Sequence, residues 1–108
     1  MKIEKVIDAL GLKRLTGCGA KEFSGVYAGD LLSRAMSHIG EGDLWITIMS
    51  NINVIAVASL TEAAAVILAE DVEMTDEVLD AAREKGVAVL SSGKSVYEIC
   101  AAINAVCG

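Results

Sequence analysis

The sequence is poor in the residue types that catalytic and metal sites most often use. Its 108 residues include one histidine, three cysteines, one tryptophan and no proline. A single histidine excludes a histidine-based metal site, and no cysteine or aspartate cluster has the spacing of metal ligands. No Ser-His-Asp or Cys-His arrangement can be assigned either. We therefore expect no catalytic residues, no metal and no cofactor, and the sequence argues against an independent enzyme.

Basic residues and long apolar runs are also scarce. Nine Lys and Arg stand against fifteen Asp and Glu, for a formal net charge of −6. This acidity argues against binding to nucleic acid and to anionic membranes. No apolar run reaches the roughly 18 residues of a membrane span, and no signal-peptide pattern follows Met1. The odd number of cysteines and the lack of a C-x-x-C motif indicate a reducing, cytoplasmic location.

Aliphatic residues dominate what remains. The chain is 54% hydrophobic but only 4% aromatic, so its core must be built from Ala, Val, Ile and Leu. Such residues suit the packing of helix layers on a sheet. The length is typical of one domain, and no linker or low-complexity segment interrupts it. We therefore expect a single domain over residues 1–108.

Hydrophobic periodicity predicts an alternation of helices and strands. An amphipathic helix is predicted over residues 3–10, with short strands near 12–15 and 23–27 and a helix over 31–39. From residue 44 onward, strands at 44–49, 64–68 and 87–90 alternate with three helices. The helix over 54–61 is rich in β-branched residues, but parallel strands need a crossover there. We predict a layered α/β fold with a mainly parallel sheet of about four to five strands flanked by helices.

Three polar residues have the chemistry of helix N-caps. Asp30 and Asn53 precede predicted helices, and their side-chain oxygens can accept from the unpaired amides of a first turn. Ser95 and Glu98 have the spacing of a capping box for the last helix.

Small polar residues also follow two of the predicted strands. The carboxyl ends of parallel strands meet at one edge of a sheet, where open α/β folds bind their ligands. The sequence therefore predicts a ligand-binding edge formed by Thr47, Ser50, Asn51, Ser91 and Ser92.

The segment Gly93-Lys94-Ser95 has part of the pattern of a phosphate-binding P-loop. A complete P-loop needs a glycine at position 88, which is Ala88, so we reject that interpretation. The start of the last helix still attracts anions in general.

Four segments together resemble the DRTGG domain family. They are SGVYAGDLLS (24–33), EGDLWITI (41–48), NVIAVA (53–58) and GVAVLSS (86–92). The chain departs from the family at Lys21-Glu22, where an Asp-Arg pair is expected. It departs again at Asn51, where a histidine is frequent, and at Gly93, where a proline is usual.

This resemblance implies a small regulatory or interaction domain. Such domains occur beside CBS domains in nucleotide-regulated pyrophosphatases, in phosphotransacetylases, and as a segment similar to the N-terminal domain of HPr kinase/phosphorylase. Together with the polar strand ends and the glycine-containing turns, it favours a non-catalytic module that forms a homodimer and binds a nucleotide or another small anionic ligand. The alternative is a pure protein-interaction subunit acting on a separately encoded enzyme. Serine-kinase activity is rejected because the kinase half and its P-loop are missing.

Overall fold

The computed structural model describes residues 1–17 and 22–107. Cys18 and Gly19, and the departure from the family at Lys21, lie outside the described residues. Ten elements follow one another in the described part of the chain: α1 (Ile3–Leu10), β1 (Lys13–Arg14), β2 (Gly25–Ala28), α2 (Leu32–His38), β3 (Asp43–Thr47), α3 (Ile52–Thr61), β4 (Ala65–Leu68), α4 (Asp76–Lys85), β5 (Val89–Ser91) and α5 (Val96–Cys107).

The strands form one mixed sheet in the order β1-β5-β4-β3-β2. Strands β2 to β5 are parallel neighbours, and β1 pairs antiparallel with β5. Because every step from β2 to β5 moves to the next neighbour in one direction, right-handed crossovers place α2, α3 and α4 on the same face. Helices α1 and α5 pack on the other face. The predicted layered, mainly parallel α/β fold is confirmed.

The central strand β3 shows how the two cores are built. Leu44 and Ile46 point into the cluster beneath α1 and α5, whereas Trp45 points into the cluster beneath α2, α3 and α4. All three side chains are buried. The strand is therefore covered on both faces, as its apolar sequence predicts.

Helix α3 is confirmed in spite of its β-branched sequence. Its ten residues include no charged side chain, and burial of Val54, Ile55, Val57 and Ala58 anchors it to the sheet. Its outer side leaves Ile52 and Leu60 exposed. Tertiary packing and the need for a crossover thus override a weak helix propensity.

Two of the predicted helix caps are wrong. Leu31 is the N-cap of α2, and no side chain among the described residues caps this helix. Helix α3 is capped by Asn51, whose Oδ1 accepts from the amide of Asn53 at 2.9 Å, so Asn53 lies inside the helix. At α5, Ser95 Oγ accepts from the Glu98 amide and Glu98 Oε1 accepts from the Ser95 amide, both at 3.1 Å.

None of the described helices has the length and the apolar character that crossing a membrane requires.

A candidate ligand edge at the carboxyl ends of the strands

The five predicted site residues lie at the carboxyl edge of the sheet, which we define as the ends of β2 to β5 and the loops that follow them. Thr47 is in register with Leu68, and Leu68 with Ser91. Thr47 and Ser91 therefore stand at one level with a single strand between them, about 10 Å apart. Ser50 and Asn51 follow β3, and Ser92 follows β5.

The β2–β3 half of this edge is closed by its own hydrogen bonds. Thr47 Oγ1 donates to Asp30 Oδ1 at 2.7 Å, and the Ile48 amide donates to the same oxygen at 3.0 Å. The Thr47 hydroxyl also accepts from the Met49 amide at 3.1 Å, and Thr47 is buried. Asp30 therefore ties the ends of two strands together instead of capping α2. The Thr47 hydroxyl is already engaged in these hydrogen bonds, so Thr47 has a structural role beneath the edge.

Other residues of the segments 24–33 and 41–48, which contain β2 and β3, also make contacts that hold the fold together. Trp45 Nε1 donates to the Gly29 carbonyl at 2.9 Å beside Asp30. At the opposite end of the pair, Gly42 has a φ of +83°, and a Cβ there would lie 2.9 Å from Ser24 Oγ. The Asp43 carboxylate accepts from the Gly40 amide at 2.8 Å. The motif segments thus join β2 to β3 at both ends.

Polar groups are more available in the β4–β5 half and in the loop after β3. Ser50 and Ser91 are half-buried, and their hydroxyls make no hydrogen bond to any residue that the structure describes. Ser92 Oγ accepts from the Lys94 amide at 3.1 Å, and Asn51 uses its Oδ1 as the cap of α3. Ser50 and Ser91 are therefore the side chains best placed to bond a ligand.

A strained turn lies between these groups. Glu70 and Asp71, which follow β4, have φ values of +58° and +60°. Left-handed backbone costs a non-glycine residue roughly 1–2 kcal/mol. Two backbone bonds hold the turn against the β5–α5 loop, from the Glu70 amide to the Lys94 carbonyl at 2.9 Å and from the Asp71 amide to the Ser92 carbonyl at 3.0 Å. Strain maintained in this way is a recurrent property of ligand sites.

A cleft of about 530 Å³ opens beside Ser91. It is lined by Lys13, Leu15, Asp71, Val72, Glu73, Met74, Leu79 and Ser91. The sequence prediction missed Lys13, which reaches the cleft because β1 pairs with β5 and Lys13 stands opposite Ser91. A two-residue strand carries no signal of its distant partner, so only the structure assigns this lysine to the site.

The start of α5 binds oxygens of its own chain. The amides of Lys94, Ser95 and Glu98 donate to Ser92 Oγ, Glu98 Oε1 and Ser95 Oγ respectively. The bonds from the Ser95 backbone and side chain hold the pKa of the Glu98 carboxyl below its usual value. The Gly93-Lys94-Ser95 segment is therefore a capping loop. Within the described part of the chain, no group of three or more His, Cys, Asp and Glu could hold a metal ion.

Comparison with known families identifies the domain. The sequence profile of the DRTGG domain matches residues 5–106. The chain belongs to the DRTGG domain family. The predicted resemblance is thereby confirmed over nearly the whole length of the domain.

A solved structure supports the same fold. It contains the CBS and DRTGG domains of the regulatory region of Clostridium perfringens pyrophosphatase, complexed with the activator diadenosine tetraphosphate. The TM-score is 0.74 at 14% sequence identity, and the match covers 94% of this DRTGG chain. It covers 45% of the solved regulatory-region chain, so the present chain spans less than half of the length of that chain. A comparison with curated proteins finds no match.

Proposed function

We propose that this DRTGG domain is a non-catalytic regulatory module that binds a small ligand at its carboxyl edge and works as a homodimer in the cytoplasm. The observation that carries the proposal is the open β4–β5 half of the edge. There a Ser91 hydroxyl without a hydrogen-bond partner among the described residues, a strained turn and a cleft of about 530 Å³ lie together. A concave site with a few convergent polar groups is the usual form of a small-molecule site. The free thiols Cys100 and Cys107 fit a reducing compartment.

Nucleotides are the ligand class to test first, because the similar pyrophosphatase region is described in complex with a dinucleotide activator. In this chain Lys13 and Lys94 supply positive charge near Ser91, whereas Asp71 and Glu73 oppose a bare phosphate. We expect a nucleotide to place its phosphates toward the lysines, with Ser50, Asn51, Ser91 and Ser92 as hydrogen-bond partners above Thr47. Because of the acids, Mg²⁺ should strengthen the binding of a polyphosphate.

A thermal-shift series with nucleoside monophosphates, nucleoside diphosphates and dinucleotides, each with and without Mg²⁺, tests this proposal. A ligand that binds only the folded protein stabilises it by about 2.7 kcal/mol at about 100 times its Kd. Lys13→Gln should weaken the shift, and Lys5→Gln, an equal loss of charge on the exposed side of α1, should not. If no nucleotide raises the Tm, or if both variants behave alike, the proposed ligand edge is wrong.

The second candidate is a pure protein-interaction subunit that acts on a separately encoded enzyme. It is favoured by the outer side of α3, where Ile52 is 47% and Leu60 70% exposed on a helix without charge. A surface helix that is apolar on its outer side is typical of a contact surface. Affinity capture from cells that express the protein should recover an enzyme with the wild type. Leu60→Glu should lose that enzyme, whereas Lys5→Gln should retain it.

A further inference from the structure

The cleft beside Ser91 has two walls that differ in charge. The strand wall comes from β5, from β1 and from the residue just after β1, and the charged residue that it contributes is Lys13. The loop wall comes from the β4–α4 loop and from α4, and it contributes Asp71 and Glu73. One space of about 530 Å³ therefore presents a cation on one wall and two carboxylates on the other.

These three charged groups do not neutralise one another. The side chains of Lys13, Asp71 and Glu73 take part in no ion pair and no hydrogen bond within the described residues. All three residues are exposed, so solvent can hydrate them when the cleft is empty. A ligand that enters the cleft displaces part of this hydration, and each charge that it covers must then find a partner on the ligand.

This requirement decides which part of a nucleotide meets which wall. A phosphate is attracted to Lys13 and repelled by the carboxylates, so it belongs on the strand wall, where the Ser91 hydroxyl can also donate to it. The Asp71 carboxylate lies toward the same end, since its oxygens are 3.1 Å from the position that a Cβ of Gly93 would take. A Mg²⁺ ion shared with the polyphosphate would offset the repulsion there. Glu73 is the carboxylate that remains for the base.

The cleft also has an apolar lining that suits a flat ring. Leu15, Val72 and Leu79 are half-buried, and their side chains can contact the faces of a base. The edge of the base that meets Glu73 must carry hydrogen-bond donors, because an ionised carboxylate only accepts. A ring acceptor at that edge would be repelled and would leave the covered carboxylate unpaired.

Guanine satisfies this condition best among the common bases. Its N1–H and its 2-amino group are adjacent donors, which match the two oxygens of one carboxylate. Adenine and cytosine place one amino donor next to a ring acceptor, and uracil has a single N–H between two carbonyls. We propose that the cleft selects guanine nucleotides, with the Glu73 carboxylate accepting from N1–H and the 2-amino group and the phosphates lying toward Lys13. This inference rests on the ligand edge of the proposed function and names its ligand.

Titration calorimetry with GDP, IDP and ADP in the presence of Mg²⁺ tests the selection. GDP and IDP differ only in the 2-amino group, so the ratio of their Kd values measures that contact alone. The wild type should bind GDP about tenfold more tightly than IDP, as expected for a hydrogen bond to a charged group. ADP should also bind more weakly than GDP. Equal Kd values for GDP and IDP would refute the recognition of guanine, and the proposed ligand edge would stand because nucleotides still bind.

Glu73→Gln assigns the contact to this side chain. The amide keeps the size of the side chain but offers a single acceptor, so the preference for GDP over IDP should fall to about twofold. Glu84→Gln is the matched control, because it removes an equal charge from an exposed position near the other end of α4 and should retain the preference.

Two further outcomes would overturn the proposal. A preference for GDP that survives Glu73→Gln would mean that another group recognises the base. If none of the three nucleotides binds the wild type, the selection of guanine and the proposed ligand edge are both wrong. Because Glu73 makes no hydrogen bond or ion pair within the described residues, Glu73→Gln should fold like the wild type, and circular dichroism melting verifies this.

Discussion

The two halves of the carboxyl edge differ in what their polar groups do. In the β2–β3 half, Asp30 and Thr47 bond to each other and to the backbone, so their polarity holds strands in place. In the β4–β5 half, the Ser91 hydroxyl has no partner among the described residues and faces a cleft. A polar residue at the end of a strand therefore indicates a ligand site only where its side chain is not already bonded within the fold. The motif segments of β2 and β3 build the fold, and the binding potential lies in the other half.

The strongest test of this comparison is Asp30→Ala. The variant removes two hydrogen bonds to a carboxylate and leaves the buried Thr47 hydroxyl without its acceptor. We expect the free energy of unfolding to fall by about 2 kcal/mol. Asp30→Asn is the matched control, since it keeps an acceptor at Oδ1, and it should cost roughly half as much. Urea denaturation measures both values, and an unchanged midpoint in Asp30→Ala would mean that this half of the edge is not held by Asp30.

The order of helices and strands could be predicted from the sequence because each helix or strand has its own local hydrophobic periodicity. The alternation from residue 44 onward, the helix over residues 3–10 and the mainly parallel sheet are all present in the structure. Even α3 could be predicted, because two parallel strands on either side of it require a crossover. Local pattern and chain topology together were sufficient for the architecture.

The contacts of individual polar side chains could not be read in the same way. Asp30 has the composition of a cap, but its carboxylate reaches across to the end of β3, 17 residues away in sequence. The cap of α3 lies two residues before the predicted Asn53, because several adjacent residues there could accept from the first turn. Lys13 joins Ser91 only through an antiparallel pair at the far edge of the sheet. These features depend on long-range register, which composition and spacing do not contain.

Asn51 lies at the boundary between the two halves, and two substitutions there distinguish a structural role from a role in ligand binding. Asn51→Ala removes the cap of α3 and should cost about 1 kcal/mol of stability. Asn51→Asp keeps an oxygen acceptor and should retain most of that stability, but it adds a negative charge at the edge. If anionic nucleotides bind there, Asn51→Asp should weaken binding more than it lowers the Tm. Equal nucleotide affinity in the wild type and in Asn51→Asp, measured by titration calorimetry, would place the ligand elsewhere.

A smaller effect is expected from the capping box of α5 at acid pH. The pKa of Glu98 is lowered in the folded state, so its contribution to stability is complete above the unfolded pKa, near 4.5. It is lost as the pH falls through the folded pKa, because the protonated carboxyl is a poorer acceptor for the Ser95 amide. Glu98→Gln keeps the spacing of the box but does not titrate. The difference in Tm between wild type and Glu98→Gln should therefore shrink as the pH is lowered below 4.5, and a difference independent of pH would contradict the assignment.

Ser91→Ala should have the smallest effect on folding and a clear effect on binding. The hydroxyl makes no hydrogen bond within the described residues and Ser91 is half-buried, so its removal should change the free energy of unfolding by less than about 0.5 kcal/mol. Thr47→Ser supplies the contrast: it keeps the hydroxyl that bonds Asp30 but removes a buried methyl group, and it should lower stability with no effect on ligand affinity. If the ligand binds at the β4–β5 half of the edge, Ser91→Ala should lower ligand affinity and leave stability nearly unchanged. Thr47→Ser should lower stability and leave ligand affinity unchanged. Loss of affinity in Thr47→Ser alone would move the ligand to the β2–β3 half and reverse the comparison between them.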